Sequence, residues 1–425
     1  MQVVILCGGL GTRLKSSTPE LPKVLHRIKG KTVLEWQIRQ LPPTTDDILL
    51  LIGNSSNRHF YLEEVEKLKV EYNFQINLFF EAGRPGTGGA LKAAKSKLRK
   101  KFVVILGDVL FDASVDHLYK SLNSQFNLAI WVRETDHPSD SDLVIINESG
   151  LTQKFLKYPH EQNKIDFHSY GATGLFAMKR KFLKYFPKEE SFDFFEALTK
   201  LRPKVRLKCR AVISLHSFKD IGTQERFSGA ELFIEKLESK RRVKLFVIDR
   251  GNTIIYDPYI SMQKNFVYND KIIEKLRNIS RSNEQSLFSI VTNQPAIAKG
   301  IKSRSEVDSE NLRIGEYLLQ NSLTIASIKY CPHHPEKGHP NEIPELKIRC
   351  RCRKPFPGLV IDMVNELNLN PLSLVVIGDS KFDYGLARIL GCDFHLERFK
   401  PRNNHMPSFI QLCIWRFQSI RSQYI

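Results

Sequence analysis

Two sets of residues in this chain are spaced for chemistry. The first runs from Gly8 to Lys23: a glycine-rich turn, Gly8-Gly9-Leu10-Gly11-Thr12, followed by the cations Arg13 and Lys23. Glycines let backbone N–H groups approach a phosphate closely, and successive N–H groups form an anion-binding concavity. Arg13 and Lys23 add the positive charge that a triphosphate demands. The second set is Cys331-x-His333 with Cys350-x-Cys352. Three sulfurs and one imidazole make a closed tetrahedral set suited to structural Zn²⁺, with His334 left out. Such a metal would staple a loop and need not take part in a reaction.

The elements that must hold these groups follow from hydrophobic spacing. Residues 3–6 are an apolar run that predicts a buried strand breaking into the glycine turn, so that nothing is expected to precede the fold. Residues 32–41 and 60–68 have helical spacing, and residues 48–52 and 76–80 read as strands. This alternation predicts a parallel sheet with helices on both faces, whose ligands lie outside the carboxyl ends of the strands. Two further features fall at such ends. Gly86-Thr87-Gly88-Gly89-Ala90-Leu91 predicts a small-residue loop running into a helix, against which a flat nucleobase or ribose could lie. A strand over residues 102–106 ends in Gly107-Asp108, an aspartate placed to hold Mg²⁺ beside phosphates. After a helical pattern at 228–240, a fresh strand at 243–248 ends in Asp249, which is how a second doubly wound domain would open.

At 425 residues the chain is expected to form more than one domain. A hydrophobic content of 42% with 26% charged residues is that of a globular protein with real cores. The formal net charge of +18 comes from scattered Lys and Arg without a nucleic-acid motif, so it reads as a basic surface around phosphate sites and no nucleic-acid partner is expected. No apolar stretch has transmembrane length and no signal-peptide pattern opens the chain, so no membrane span is expected. Seven cysteines, three of them at metal spacing, suit a reducing compartment, and the expected localisation is cytoplasmic.

The opening motif with Pro22-Lys23, then Gly86-Thr87-Gly88-Gly89-Ala90, Gly107-Asp108 and Asp220-Ile221-Gly222-Thr223, resembles the sugar-1-phosphate nucleotidyltransferases over about residues 1–230. Within that group the wording is most similar to heptose 1-phosphate guanylyltransferases. The resemblance implies attack by a sugar 1-phosphate oxygen on the α-phosphorus of an NTP, with GTP favoured, giving an NDP-sugar and pyrophosphate. Positioning and charge stabilisation would carry such a reaction. Arg13 would hold the departing pyrophosphate and Lys23 the α-phosphate; Asp108 and Asp220 would hold Mg²⁺; Gly8, Gly9, Gly11, Thr12, Gly86, Thr87 and Gly88 would bind the nucleotide. The sugar side departs from the family pattern at Lys157-Tyr158, Ala172 and Asp193.

Residues 243–397 resemble haloacid-dehalogenase-type phosphatases through Asp249, Thr292, Lys354 and Asp379, and with the Cys/His pairs they look specifically like heptose-bisphosphate and histidinol-phosphate phosphatases. The resemblance implies Asp249 as nucleophile, Thr292, Asn293 and Lys354 on the phosphoryl group, and Asp249 and Asp379 on Mg²⁺. The position of the usual general acid is Gly251, with Asn252 where glycine is expected; Tyr256 and Asp257 are the nearby groups that could substitute. The expected fold class is therefore α/β with two doubly wound domains: a nucleotidyltransferase-type Rossmann-like domain over 1–240 and a haloacid-dehalogenase-like domain with a zinc loop over 241–397. A tail at 398–425 follows, carrying Trp415 and other apolar residues for domain packing or a homo-oligomer contact. The competing readings are a single transferase activity with a degenerate binding domain, and a non-catalytic regulatory or nucleic-acid-binding protein on the same folds.

Overall fold

The computed structural model describes residues 1–8, 21–53, 58–81, 83, 85–135, 137–147, 150–161, 165–256, 266–282 and 285–399. Its centre is Gln2–Leu6 (β1), buried along its whole length. A strand with apolar side chains on both faces needs a layer on each side, and helices supply them. The next parallel strands are Asp47–Ile52 (β2), Ile76–Phe80 (β3) and Lys101–Leu106 (β4). Val33–Arg39 (α1), Arg58–Tyr72 (α2) and Gly86–Ala93 (α3) connect them, and the Thr32 side chain caps α1 by accepting from Glu35 N–H. β1 lies between β2 and β4, with Gln2 opposite both Asp47 and Phe102. That register puts the carboxyl ends of β1 and β4 side by side.

The rest of this sheet departs from the parallel expectation. Leu128–Arg133 (β5), Leu143–Ile146 (β6), Thr152–Leu156 (β7), Ser169–Lys179 (β8) and Cys209–Ile213 (β9) complete nine strands, with a main path β7-β6-β8-β4-β1-β2-β3 and β5 pairing with β8 and β9. β8 runs antiparallel to β4, β5 and β6. Burial on both faces reads the same in either direction, so the apolar runs could not report this reversal. Two short strands, Val109–Phe111 and Phe218–Asp220, pair antiparallel beside the sheet and set Asp220 opposite Val109.

The helix expected at 60–68 extends over the whole of α2. The one expected at 228–240 is divided at Gly229 into Gln224–Ser228 and Ala230–Glu238 (α4). Arg241–Ile248 (β10) then founds a second, fully parallel sheet with Ser286–Asn293 (β11), Ile325–Cys331 (β12), Leu369–Gly378 (β13) and Asp393–Leu396 (β14), in the order β12-β11-β10-β13-β14. Its helices are Asp270–Ser282 (α5), Arg304–Gln320 (α6), Gly358–Glu366 (α7) and Lys381–Leu390 (α8).

The two sheets are not independent. One hydrophobic cluster contains Ala211 and Ile213 of β9 together with Leu386 and Ile389 of α8, all nearly inaccessible to water. Arg210 donates from Nη2 to the carbonyl of Arg388. Gly391, in the left-handed conformation that ends α8 (φ +66°), lies where a Cβ would come within 2.6 Å of Val212 Cγ1. Among the described residues no helix is long and apolar enough to cross a membrane.

Candidate functional site

A cleft of about 680 Å³ opens at the carboxyl ends of β1, β3 and β4. Leu6, Cys7 and Gly8 enter it from β1, Glu81 from the end of β3, and Gly107 and Asp108 from β4. Gly9, Gly11, Thr12 and Arg13 lie outside the described residues, so the glycine turn is represented here by Gly8 alone. A Cβ on Gly8 would lie 3.3 Å from the Gly53 nitrogen, which is why two backbones can cross there.

The cationic and acidic groups expected on the phosphates do meet. Lys23 Nζ donates to Asp108 Oδ2 at 3.1 Å. The backbone N–H of Ile221 donates to the carbonyl of Asp108 at 2.9 Å, which ties the Asp220 segment to the end of β4. A Cβ on Gly222 would stand 2.7 Å from Asp220 Oδ1 and 3.4 Å from Lys23 Nζ, so both groups face the same point. Asp220 Oδ2 also accepts from Arg226 Nη1 at 2.7 Å. Two carboxylates on neighbouring strands are hard oxygen donors, and they fit Mg²⁺ held beside phosphates. Lys23 and Arg226 neutralise them in the ligand-free protein, and Arg226 is a cation of the cleft that the spacing of motifs did not single out.

The glycines at 86–89 are used differently from the expected loop. They form the first turn of α3, and the segment 190–193 packs directly on them. Gly88 N–H donates to the carbonyl of Phe192 at 3.0 Å, and a Cβ on Gly86 would meet that oxygen at 2.7 Å. Added side chains at Gly88 and Gly89 would collide with the Phe192 ring and the Glu190 carbonyl. The small residues are thus explained by this packing. Gly86 and Thr87 still line the cleft, and the Thr87 hydroxyl donates to Asp193 Oδ2 at 2.9 Å. Lys157 Nζ bridges Asp193 Oδ1 at 3.2 Å and Asp142 Oδ2 at 2.9 Å.

Glu81 was missed by sequence reasoning. It is 8% exposed, lines the cleft, and its Oε1 has no hydrogen-bond partner among the described residues. Burial pushes its carboxyl up to about 7. The signal available in the sequence was an acid placed immediately after an apolar strand, five residues before Gly86.

A second constellation sits at the carboxyl ends of β10, β11 and β13. Lys354 Nζ donates to Asp249 Oδ1 and Asp383 Oδ1, both at 2.6 Å, and to the Val291 carbonyl at 2.7 Å. Asp249, Asp379 and Asp383 have carboxylate oxygens within 4.8 Å of one another, which fits a hard divalent cation. Burial raises the Asp249 carboxyl to about 6, although the Lys354 ammonium pulls it back down. Asp383 was absent from the expected metal set; its signal was the Ser380-x-x-Asp383 capping box that opens α8. Thr292 is buried and accepts from Gln294 Nε2 at 3.2 Å. Asn293 uses its side chain on the Lys354 backbone, accepting from its N–H at 3.0 Å and donating to its carbonyl at 3.2 Å, so it shapes the lysine's loop. Gly251 follows Asp249 by two residues, and Asp257 lies outside the described residues.

Cys331, His333, Cys350 and Cys352 converge, with ligand atoms all within 4.8 Å. The Cys352–Cys350 and His333 Nδ1–Cys352 separations are both 3.2 Å. Three thiols and an imidazole at such spacing form a donor set that fits Zn²⁺.

A family model described as Nucleotidyl transferase matches residues 2–237. The chain is 29% identical over 234 residues to the D-glycero-alpha-D-manno-heptose 1-phosphate guanylyltransferase of Campylobacter jejuni, covering 53% of this chain and 96% of that protein. It is 32% identical over 146 residues to the D-glycero-beta-D-manno-heptose-1,7-bisphosphate 7-phosphatase of Haemophilus influenzae, covering 33% of this chain and 73% of that protein. A solved structure, HddC from Yersinia pseudotuberculosis, is 25% identical and covers 55% of this chain and 99% of that one, with a TM-score of 0.45. Since the family model spans more than half of the 425 residues and takes in the cleft of Gly8, Lys23, Asp108 and Asp220, the chain belongs to the nucleotidyl transferase family.

Proposed function

We propose that the first cleft transfers GMP from GTP to a heptose 1-phosphate, releasing pyrophosphate. The observation that carries the choice of base is Glu81. Guanine presents two adjacent donors, N1–H and N2–H₂, and a carboxylate offers two acceptors to match them. Uracil and thymine place carbonyl acceptors beside their single N–H, while adenine and cytosine put a ring-nitrogen acceptor next to their amine. A buried acceptor without a partner discriminates strongly against ligands that leave it unpaired. Lys23 and Arg13 would stabilise the charge on the reacting phosphates, and Asp108 and Asp220 would hold Mg²⁺, which supplies further charge neutralisation there. The similarity to a heptose 1-phosphate guanylyltransferase supports the sugar. A pyrophosphate-release screen of four NTPs against several sugar 1-phosphates tests this; GTP with D-glycero-D-manno-heptose 1-phosphate should be the best pair, and no turnover with any pair refutes it.

For the second constellation we propose a phosphate-binding site of the haloacid-dehalogenase type, stapled by Zn²⁺, with Asp249 placed as nucleophile. Its similarity to a heptose-bisphosphate phosphatase supports a heptose phosphate as its ligand, although that relative is named for the beta anomer and the guanylyltransferase for the alpha. Gly251 cannot transfer a proton to a leaving group, so slow phosphate release from heptose 1,7-bisphosphate is expected. Release at ordinary phosphatase rates, lost in Asp249→Asn, would overturn that expectation. Both activities would use soluble cytoplasmic substrates.

A further inference from the structure

We infer that Arg351 and Phe356 are positioning residues for the acceptor side of the nucleotidyl-transfer cleft, held in place by the Cys331/His333/Cys350/Cys352 set of the other sheet. The inference rests on the transferase reading of the first cleft. That cleft has a base end at Glu81 and a phosphate end at Lys23, Asp108 and Asp220. Another stretch of its lining, Ser191 to Asp193, is assigned to the acceptor. Asp193 in that stretch holds Lys157. Tyr158 N–H and Lys157 Nζ both donate to Asp142, whose carbonyl accepts from Ala172 N–H of β8 at 2.8 Å, so Lys157 is tied to β8.

The start of β8 is held from the other sheet. The Phe167 and His168 rings meet Phe356 edge-on, with centroids at 5.4 and 5.0 Å. Phe356 lies two residues beyond Lys354 and four beyond Cys352. Arg351, between Cys350 and Cys352, donates from Nη1 to both oxygens of Glu134 at 3.1 and 3.2 Å, and from Nη2 to Asp362 at 2.8 Å. Glu134 follows β5, whose Arg133 pairs with Gly171 of β8. The segment 350–356, which runs from the second metal-ligand pair past Lys354, therefore grips the first sheet at Glu134 and at Phe167–His168. Between them these contacts flank the start of β8, which Ala172 ties to Asp142 and so to Lys157. The partners are Glu134 and Asp362 for Arg351 and Phe167 and His168 for Phe356, none of which belongs to the Asp249, Asp379 and Asp383 group. A planar guanidinium and a ring edge are directional, so they fix a position better than scattered apolar contacts would.

The full-length zinc-loaded protein carrying Arg351→Met and Phe356→Leu provides the test. The KM for the sugar 1-phosphate should rise about fivefold to tenfold, consistent with loss of ring and ion-pair contacts, while the KM for GTP stays within about twofold. Metal content should remain one zinc per chain. Amide exchange of residues 166–171 should quicken about tenfold, and zinc chelation of the wild type should quicken the same amides. Unchanged exchange at 166–171 in both the variant and the chelated protein overturns the inference, as does a parallel rise in both KM values. The exchange measurement decides even if the transferase reading fails, so the two failures are distinguishable.

Discussion

Glu81→Gln is the most informative single change. The carboxylate is buried in the cleft with an oxygen that has no hydrogen-bond partner among the described residues. Glutamine keeps the shape but replaces one acceptor by an NH₂ group that would face a guanine donor. A hydrogen bond to a charged group contributes roughly 1.5–3 kcal/mol, so kcat/KM for GTP should fall about 10- to 150-fold. The values for ATP and UTP should change far less, which narrows the preference for guanine. Protonation offers an independent readout, because the carboxyl of the free protein is raised to about 7 by burial. Only the ionised form accepts from both guanine donors. Lowering the pH from 8 to 6 should therefore reduce kcat/KM for GTP about tenfold through this group. The nucleotide's own phosphate titration is common to wild type and Glu81→Gln, so the ratio of the two profiles isolates Glu81. The sign for stability is the opposite. A carboxyl whose folded pKa is raised favours the ligand-free fold below its unfolded value, and that contribution fades as pH rises through about 7. An unchanged GTP-to-ATP ratio in Glu81→Gln, or a profile ratio flat between pH 6 and 8, would refute this account.

Lys23→Met should lower kcat by about 10²–10³ with little change in melting temperature, read by pyrophosphate release and thermal unfolding, because its ammonium would face the reacting phosphates and its partner Asp108 is partly exposed. Gly251→Asp should raise phosphate release from heptose 1,7-bisphosphate by about 10²–10⁴, the usual contribution of general acid–base assistance, and adding Asp249→Asn should abolish it. Gly391→Ala should cost about 1–2 kcal/mol in denaturant unfolding for its left-handed backbone alone. The clash with Val212 adds to this and should loosen β9 against α8 in amide exchange.

Much of the site could be read directly. The buried strands announce themselves in the runs 3–6, 48–52 and 102–106 because a strand covered on both faces needs an unbroken apolar run, and the candidates Asp108 and Asp249 stand where such runs stop. The Cys/His set was legible because metal chemistry restricts both the donor types and their spacing. Glu81 and Arg226 were not, since a lone acid or base after an element is usually a solvated residue. Only its burial and its place beside Gly8 distinguish Glu81.

What the sequence by itself determined is the inventory: two strand-then-aspartate openings, a glycine-rich turn with its lysine, and a Cys/His set at metal-ligand spacing. Tertiary structure alone decided the direction of β8 and the use of Gly86–Gly89 as a seat for residues 190–193. It also decided the pairing of Asp220 with the end of β4 and the grip of Arg351 and Phe356 on the first sheet. The physical reason is range. Propensity, periodicity and ligand spacing act over a few residues and leave their mark in the chain. A contact such as Arg351 with Glu134 joins groups 217 residues apart, and nothing local in either segment encodes it.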